Sequence, residues 1–145
     1  MTTPRFSEVK IGDTLAPIQH IVSQDVIDRY AVASLDYNPV HTDIEWARRA
    51  QVFGIPCTVG HGMFTISLMA SVILRNWGPD KIHVKTVETK FTKPVEVGQE
   101  LKCWGVVREL HPIGPGRNFV RVDLQAVTDG DATVSVGFAE VVLPD

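Results

Sequence analysis

The chain has 145 residues, 44% hydrophobic and 21% charged, with 17 acidic against 14 basic side chains and a net charge of −3. That length supports one domain, residues 1–145, with a real core, and the composition excludes a disordered, collagenous or coiled-coil chain. Basic residues are scattered in an acidic balance, which excludes the electrostatic footprint of a nucleic-acid binder.

Cys57 and Cys103 are too few for a disulfide framework and are read as free thiols in a reducing compartment. The N-terminal residues Met1 to Ser7 lack the apolar stretch of a secretory leader. The most apolar stretch, Met63 to Trp77, is interrupted by Thr65, Ser67, Ser71, Arg75 and Asn76. Crossing a membrane takes roughly 20 mostly apolar residues, so this stretch reads as a buried helix. A cytoplasmic protein with no membrane partner is expected.

The elements follow in chain order. A strand is expected around Pro17 to Val22. Ser23 can then cap a helix, Asp25 suits its positive end, and Val26, Ile27, Tyr30 and Ala31 form its apolar stripe. The run Asp36-Tyr37-Asn38-Pro39 breaks it, because a residue before proline is pushed out of the helical region. Asp43 opens a second, short helix through Ala50, and Gly54, Pro56 and Gly60 mark an irregular connection. A third helix begins near Gly62 and stops at Gly78-Pro79. It is apolar on nearly every side, the mark of a buried helix.

Four strands are then predicted at Val84 to Phe91, Leu101 to Leu110, Asn118 to Val127 and Thr133 to Val142. Turns separate them, among them Gly114-Pro115-Gly116, and antiparallel hairpins are expected. Helices first and strands after define an α+β chain. A curved antiparallel sheet around the apolar helix is the economical way to bury it, although this order permits other α+β folds.

Two segments carry chemistry. Asp36 and His41 stand five residues apart across a rigid Asn38-Pro39 turn. A histidine exchanges protons near neutral pH and a desolvated aspartate can be tuned to do so, which suits adding or removing water by acid–base catalysis. The bland alternative is a cap and a surface residue on an ordinary turn. The second segment, His61-Gly62-Met63, opens the apolar helix, where free N–H groups can stabilise a developing oxyanion. Gly62 would let a ligand carbonyl approach; its bland alternative is tight packing.

Together, the string Asp36-Tyr37-Asn38-Pro39-Val40-His41-Thr42-Asp43 and the later His61-Gly62-Met63 resemble the MaoC-like hydratases and dehydratases, which include (R)-specific enoyl-CoA hydratases. The resemblance implies a single hot-dog fold, a curved antiparallel sheet wrapped around one long helix. It implies catalytic roles for Asp36 and His41, an oxyanion donor in the Gly62 N–H, and a supporting role for Asn38. It further implies that an enoyl thioester lies along the helix while water, held by Asp36 and His41, adds at Cβ and a proton reaches Cα. No separate cofactor is implied, since coenzyme A or an acyl-carrier protein belongs to the substrate. A homodimer is expected, with a heteromer of two hot-dog chains as the alternative. Where many members carry glycine before the aspartate, this chain has Leu35, read as a change in the pocket.

Rival readings are a hot-dog thioesterase and a non-catalytic subunit of a heteromeric dehydratase. His61 is read as a structural hydrogen bonder. His20, His83 and His111 lack clustered partners, and no metal-ligand spacing is visible. Lys81, Lys85, Lys90 and Lys93 are one possible phosphate-binding set, and Met63, Phe64, Trp77 and Phe91 could line an acyl tunnel.

Overall fold

A computed structural model describes residues 2–145. In chain order the elements are β1 (Thr14–Ile21), α1 (Gln24–Ser34), α2 (Pro39–Thr42), α3 (Ile44–Ala50), α4 (Gly62–Trp77), β2 (His83–Phe91), β3 (Glu100–His111), β4 (Phe119–Thr128) and β5 (Ala132–Val142). The strands form one antiparallel sheet in the order β1-β3-β4-β5-β2. α4 lies against it, so the expected α+β arrangement, a sheet around one long helix, is present. Met69, Val72 and Ile73 of α4 are fully buried with Leu101, Cys103, Val107, Val120, Val122, Ala139 and Val141 from the sheet. On β3 and β4 these core residues alternate with outward-facing ones, as the period of a strand requires.

Three expectations need correction. First, β2 and β3 do not form a hairpin: β2 pairs with β5 at one edge, and β3 pairs with β1 and β4. The linker between β2 and β3 is held elsewhere, by Gly60 N–H to Val95 O (2.8 Å), Val97 N–H to Thr58 O (3.0 Å) and Gly98 N–H to Val22 O (2.8 Å). It carries the chain across the helix instead of reversing it.

Second, α4 is not buried on every side. Met63 is 60% exposed, and Ser67 and Leu74 on the same face are exposed too. A single sheet covers one side of a helix, and the segments flanking α4 cover the rest only in part. The Ser67 and Ser71 hydroxyls fold back onto the carbonyls of Met63 and Ser67.

Third, α1 ends before the pre-proline position could stop it. Ser23 caps its start as expected, accepting from Val26 N–H at 3.3 Å. The stop is Leu35, whose φ of 59° and ψ of 23° are left-handed. Its side chain is 77% exposed and is not part of the lining of the cavity that holds His41, so the glycine–leucine difference at this position is a matter of backbone, not of the shape of that cavity. Helices commonly end on a left-handed residue, usually glycine because it has no Cβ.

β1 starts at Thr14, ahead of the expected Pro17, because it contains a bulge: its register with β3 breaks between Leu15 and Ile18. Pro17 has no N–H to offer a ladder. Beside it, the Asn76 side chain of α4 takes over the Ala16 backbone, accepting from its N–H (2.8 Å) and donating to its carbonyl (3.0 Å). This fastens the C-terminal end of α4 to the edge strand. Among the described residues no helix is long and apolar enough to cross a membrane.

Replacing Leu35 by glycine should stabilise the fold. Relief of the left-handed conformation is worth about 1–2 kcal/mol, against about 0.4–1 kcal/mol for the greater freedom of glycine in the unfolded chain. The expected net gain, about 0.5–1 kcal/mol, is measurable by urea unfolding, and no gain would contradict the backbone account.

Candidate active site

The site forms where α2, the segment ahead of α4, and the linker after β2 meet. α2 is a single helical turn that periodicity could not show. Asn38 caps it, its Oδ1 accepting from Val40 N–H at 3.1 Å, and Pro39 occupies the first position, where a missing N–H costs nothing. The turn presents His41 inward. His41 Nδ1 lies 2.7 Å from the Val59 carbonyl, which can only accept, so Nδ1 carries the proton and Nε2 keeps its lone pair.

The Val59 carbonyl is itself fixed. Val59 N–H donates to Val40 O at 3.2 Å, and Val59 bridges to Glu96. Gln24, the first residue of α1, donates to the His41 carbonyl (2.9 Å) and accepts from the Thr58 hydroxyl (2.5 Å). Sequence reasoning missed Gln24, Thr58 and Val59; their polar or β-branched side chains carry no motif.

His61 sits directly behind. Its ring stacks on His41 with centroids 3.9 Å apart and planes inclined by 26°. Its Nε2–H donates to the Asp36 carbonyl at 3.0 Å and lies 3.9 Å from the Asp36 carboxylate. It is 2% exposed, and its Nδ1 has no partner among the described residues. The Asp36 carboxylate accepts from Asn38 N–H at 3.2 Å and is half exposed. Donor atoms of Asp36, His41 and His61 thus lie within 4.8 Å of one another, a grouping the spacing did not reveal. The stacked rings do not aim at a common ion. Near-parallel planes keep their in-plane lone pairs side by side, whereas a zinc ion needs both nitrogens converging at about 2.0–2.1 Å. The two histidine N–H groups are also committed to carbonyls.

His41 and Gly62 line a cavity of ≈ 340 Å³ with Phe53, Thr65, Phe91, Val95 and Val134 among its other walls. Asp36 is not part of that lining. Of the four proposed tunnel residues only Phe91 takes part: Trp77 is in the core, Met63 faces outward, and Phe64 packs against Tyr30 and His20. Of the four lysines only Lys93 reaches the cavity, while Lys85 pairs with Glu140 at 3.4 Å and sits over Phe119. They do not form one set.

At the head of α4, no side chain caps the helix, so the first N–H groups keep their partial positive charge. The space a side chain at Gly62 would fill is taken by the Phe91 ring, whose Cζ would lie 3.1 Å from a Cβ there. Tight packing therefore accounts for the glycine itself, while its N–H remains available.

Burial is the largest influence on His41 and lowers its pKa below 6.5; nearby His61 adds to this, and the Val59 hydrogen bond and Asp36 charge oppose it. The imidazole is therefore neutral at neutral pH, with Nε2 as a free base. Both thiols are pushed upward by burial, Cys103 to about 12, so neither is a nucleophile.

This geometry, a neutral histidine and a carboxylate beside an uncapped helix N-terminus inside a hot-dog sheet, defines a class. The chain belongs to the MaoC like domain family, whose match extends over residues 5–130. Among curated relatives, it is 29% identical to an (R)-specific enoyl-CoA hydratase of Rhodospirillum rubrum over 135 residues, covering 90% of each chain. It is 34% identical to a mitochondrial 3-hydroxyacyl-[acyl-carrier-protein] dehydratase of Arabidopsis thaliana over 93 residues, 64% of this chain and 52% of that one. The chain thus spans about half the length of that dehydratase. The solved structure of R-hydratase PhaJ1 from Pseudomonas aeruginosa superposes with a TM-score of 0.86 at 26% identity, covering 97% of this chain and 86% of that one.

Because the folded state holds the His41 proton less tightly than the unfolded chain, stability from this group is fully present above pH 6.5 and is lost as pH falls below it. Titration of the His41 ring protons by NMR should give a pKa below 6.5. In Asp36→Asn, which removes a charge that raises it, the value should fall further; a rise would contradict the described electrostatics.

Proposed function

We propose that this protein adds water to a trans-2-enoyl thioester with (R) stereochemistry, or removes it from the corresponding 3-hydroxyacyl thioester. One observation carries the reading: His41, neutral with its Nε2 lone pair free, stands at a largely apolar cavity whose wall includes Gly62 at an uncapped helix end. The named activities of the relatives support it.

Under this reading the thioester carbonyl accepts from the Gly62 N–H, which withdraws electrons and makes Cβ electrophilic. One water is held by the Asp36–His41 pair. The pair removes a proton, the water oxygen bonds to Cβ, and the Cα–Cβ π electrons pass to the carbonyl as an enolate. The enolate collapses as the pair returns a proton to Cα, so that one water is consumed and nothing else changes. The Asp36 carboxylate balances positive charge that develops on His41. The negative thioester carrier, coenzyme A or a carrier protein, would lie toward Lys93 at the cavity wall. Partly exposed α4 and two free sheet edges favour pairing with a second hot-dog unit, the homodimer being the simpler arrangement.

The purified chain, mixed with crotonyl-CoA, should consume enoyl absorbance. Asp36→Asn and His41→Ala should each lower kcat at least ~100-fold, the scale expected for loss of a general acid or base. Turnover unchanged in both variants would sink the reading. Release of free thiol without loss of the double bond would assign thioester hydrolysis instead.

A further inference from the structure

Phe91 is a large apolar side chain left 48% exposed at the end of an edge strand. Its ring lies flat on the missing side chain of Gly62: the three atoms nearest a Cβ there, at 3.1, 3.2 and 3.4 Å, all belong to Phe91. The same ring lines the cavity that holds His41.

The backbone that carries Phe91 is fixed on both sides. Ahead of it, β2 is pressed onto β5 at Gly137, where any Cβ would collide with Glu88 O and Thr89 Cα. The Thr89 hydroxyl donates to Val136 O at 3.0 Å. Behind it, Thr92 N–H and its hydroxyl bond to Val134 O and Thr133 O, both at 2.9 Å. The ring can turn about its own side-chain bonds, but the strand cannot carry it away. A carbonyl received by the Gly62 N–H is therefore bordered by this ring, and substituents next to the carbonyl are the first to meet it.

We propose that Phe91 sets acyl specificity: its contact with Gly62 at the cavity wall admits enoyl thioesters with hydrogen at Cα and excludes those carrying an α-methyl or larger branch. This rests on the enoyl-thioester reading of the site. One extra carbon in an apolar pocket is discriminated about 10- to 200-fold, which sets the size of the effect.

The test compares crotonyl-CoA with its 2-methyl analogue, in wild type and in Phe91→Ala. Binding is measured by calorimetry in an Asp36→Asn background, and kcat/KM with Asp36 intact. The protein with Phe91 should favour the unbranched thioester at least tenfold, and Phe91→Ala should shrink that preference at least tenfold. A preference that does not move, or a parallel loss for both thioesters, overturns the proposal. Phe91→Leu carries the same test should the alanine variant fail to fold, with partial relaxation expected. Relaxed binding without turnover would retain the specificity role and overturn the hydration reading. Turnover with an unmoved preference would do the reverse, and binding of neither thioester would overturn both.

Discussion

The hydrogen bond from His41 Nδ1 to the Val59 carbonyl is the constraint on which the site depends. It fixes the tautomer, and with it the nitrogen that is free to act as a base. It also joins two pieces of irregular chain, the one-turn helix α2 and the segment ahead of α4. α2 has no buried residue of its own. The Val59 N–H returns a bond to Val40 O, and the neighbouring Gly60 N–H is tied to Val95 O of the linker after β2. A short helix, a loop and the sheet linker are thus locked by backbone bonds, and the His41 side chain inherits that rigidity.

The histidine stack extends this logic. His61 is buried, with its Nε2–H given to the Asp36 carbonyl. It therefore holds the chain just before α2 while its ring supports His41. Two imidazoles this close cannot both be charged at low cost, so the neighbour that steadies His41 also favours its neutral form. The sheet contributes differently, by placing Phe91 and Val134 opposite the helix end and closing the apolar side of the cavity.

Much of the fold was legible because its periods are strong. β3 and β4 alternate over most of their length, α4 is long and apolar, and Ser23 and Asp43 are caps at the start of amphipathic stretches. Asp36, His41 and Gly62 stood out as candidates through the resemblance of their combined spacing to a known family, while the residues alone also allowed a cap, a surface histidine and tight packing. What could not be read was what depends on meeting in space. Val59, Thr65 and Val134 come from distant segments and look like ordinary core residues until the sheet brings them together. The crossing from β2 to β3 was hidden because a Gly-containing linker between strands looks the same whether it reverses or crosses. Leu35 misled for another reason: its identity suggested a pocket, whereas its role is set by a left-handed backbone.

The two ends of α4 are treated unequally. At its last turn Asn76 reaches Val72 O and both polar groups of Ala16, so that end is anchored by side-chain bonds. At its first turn His61 stands in the capping position but makes no capping bond. A helix left open at one end lacks a contribution that a capping side chain normally brings, about 0.5–2 kcal/mol. The open end is the one that faces the cavity. Under the proposed reading, ligand recognition and completion of the helix would be the same event: an acyl carbonyl arriving at Gly62 would serve as the missing cap, and occupancy would tighten the core element around which the sheet is built.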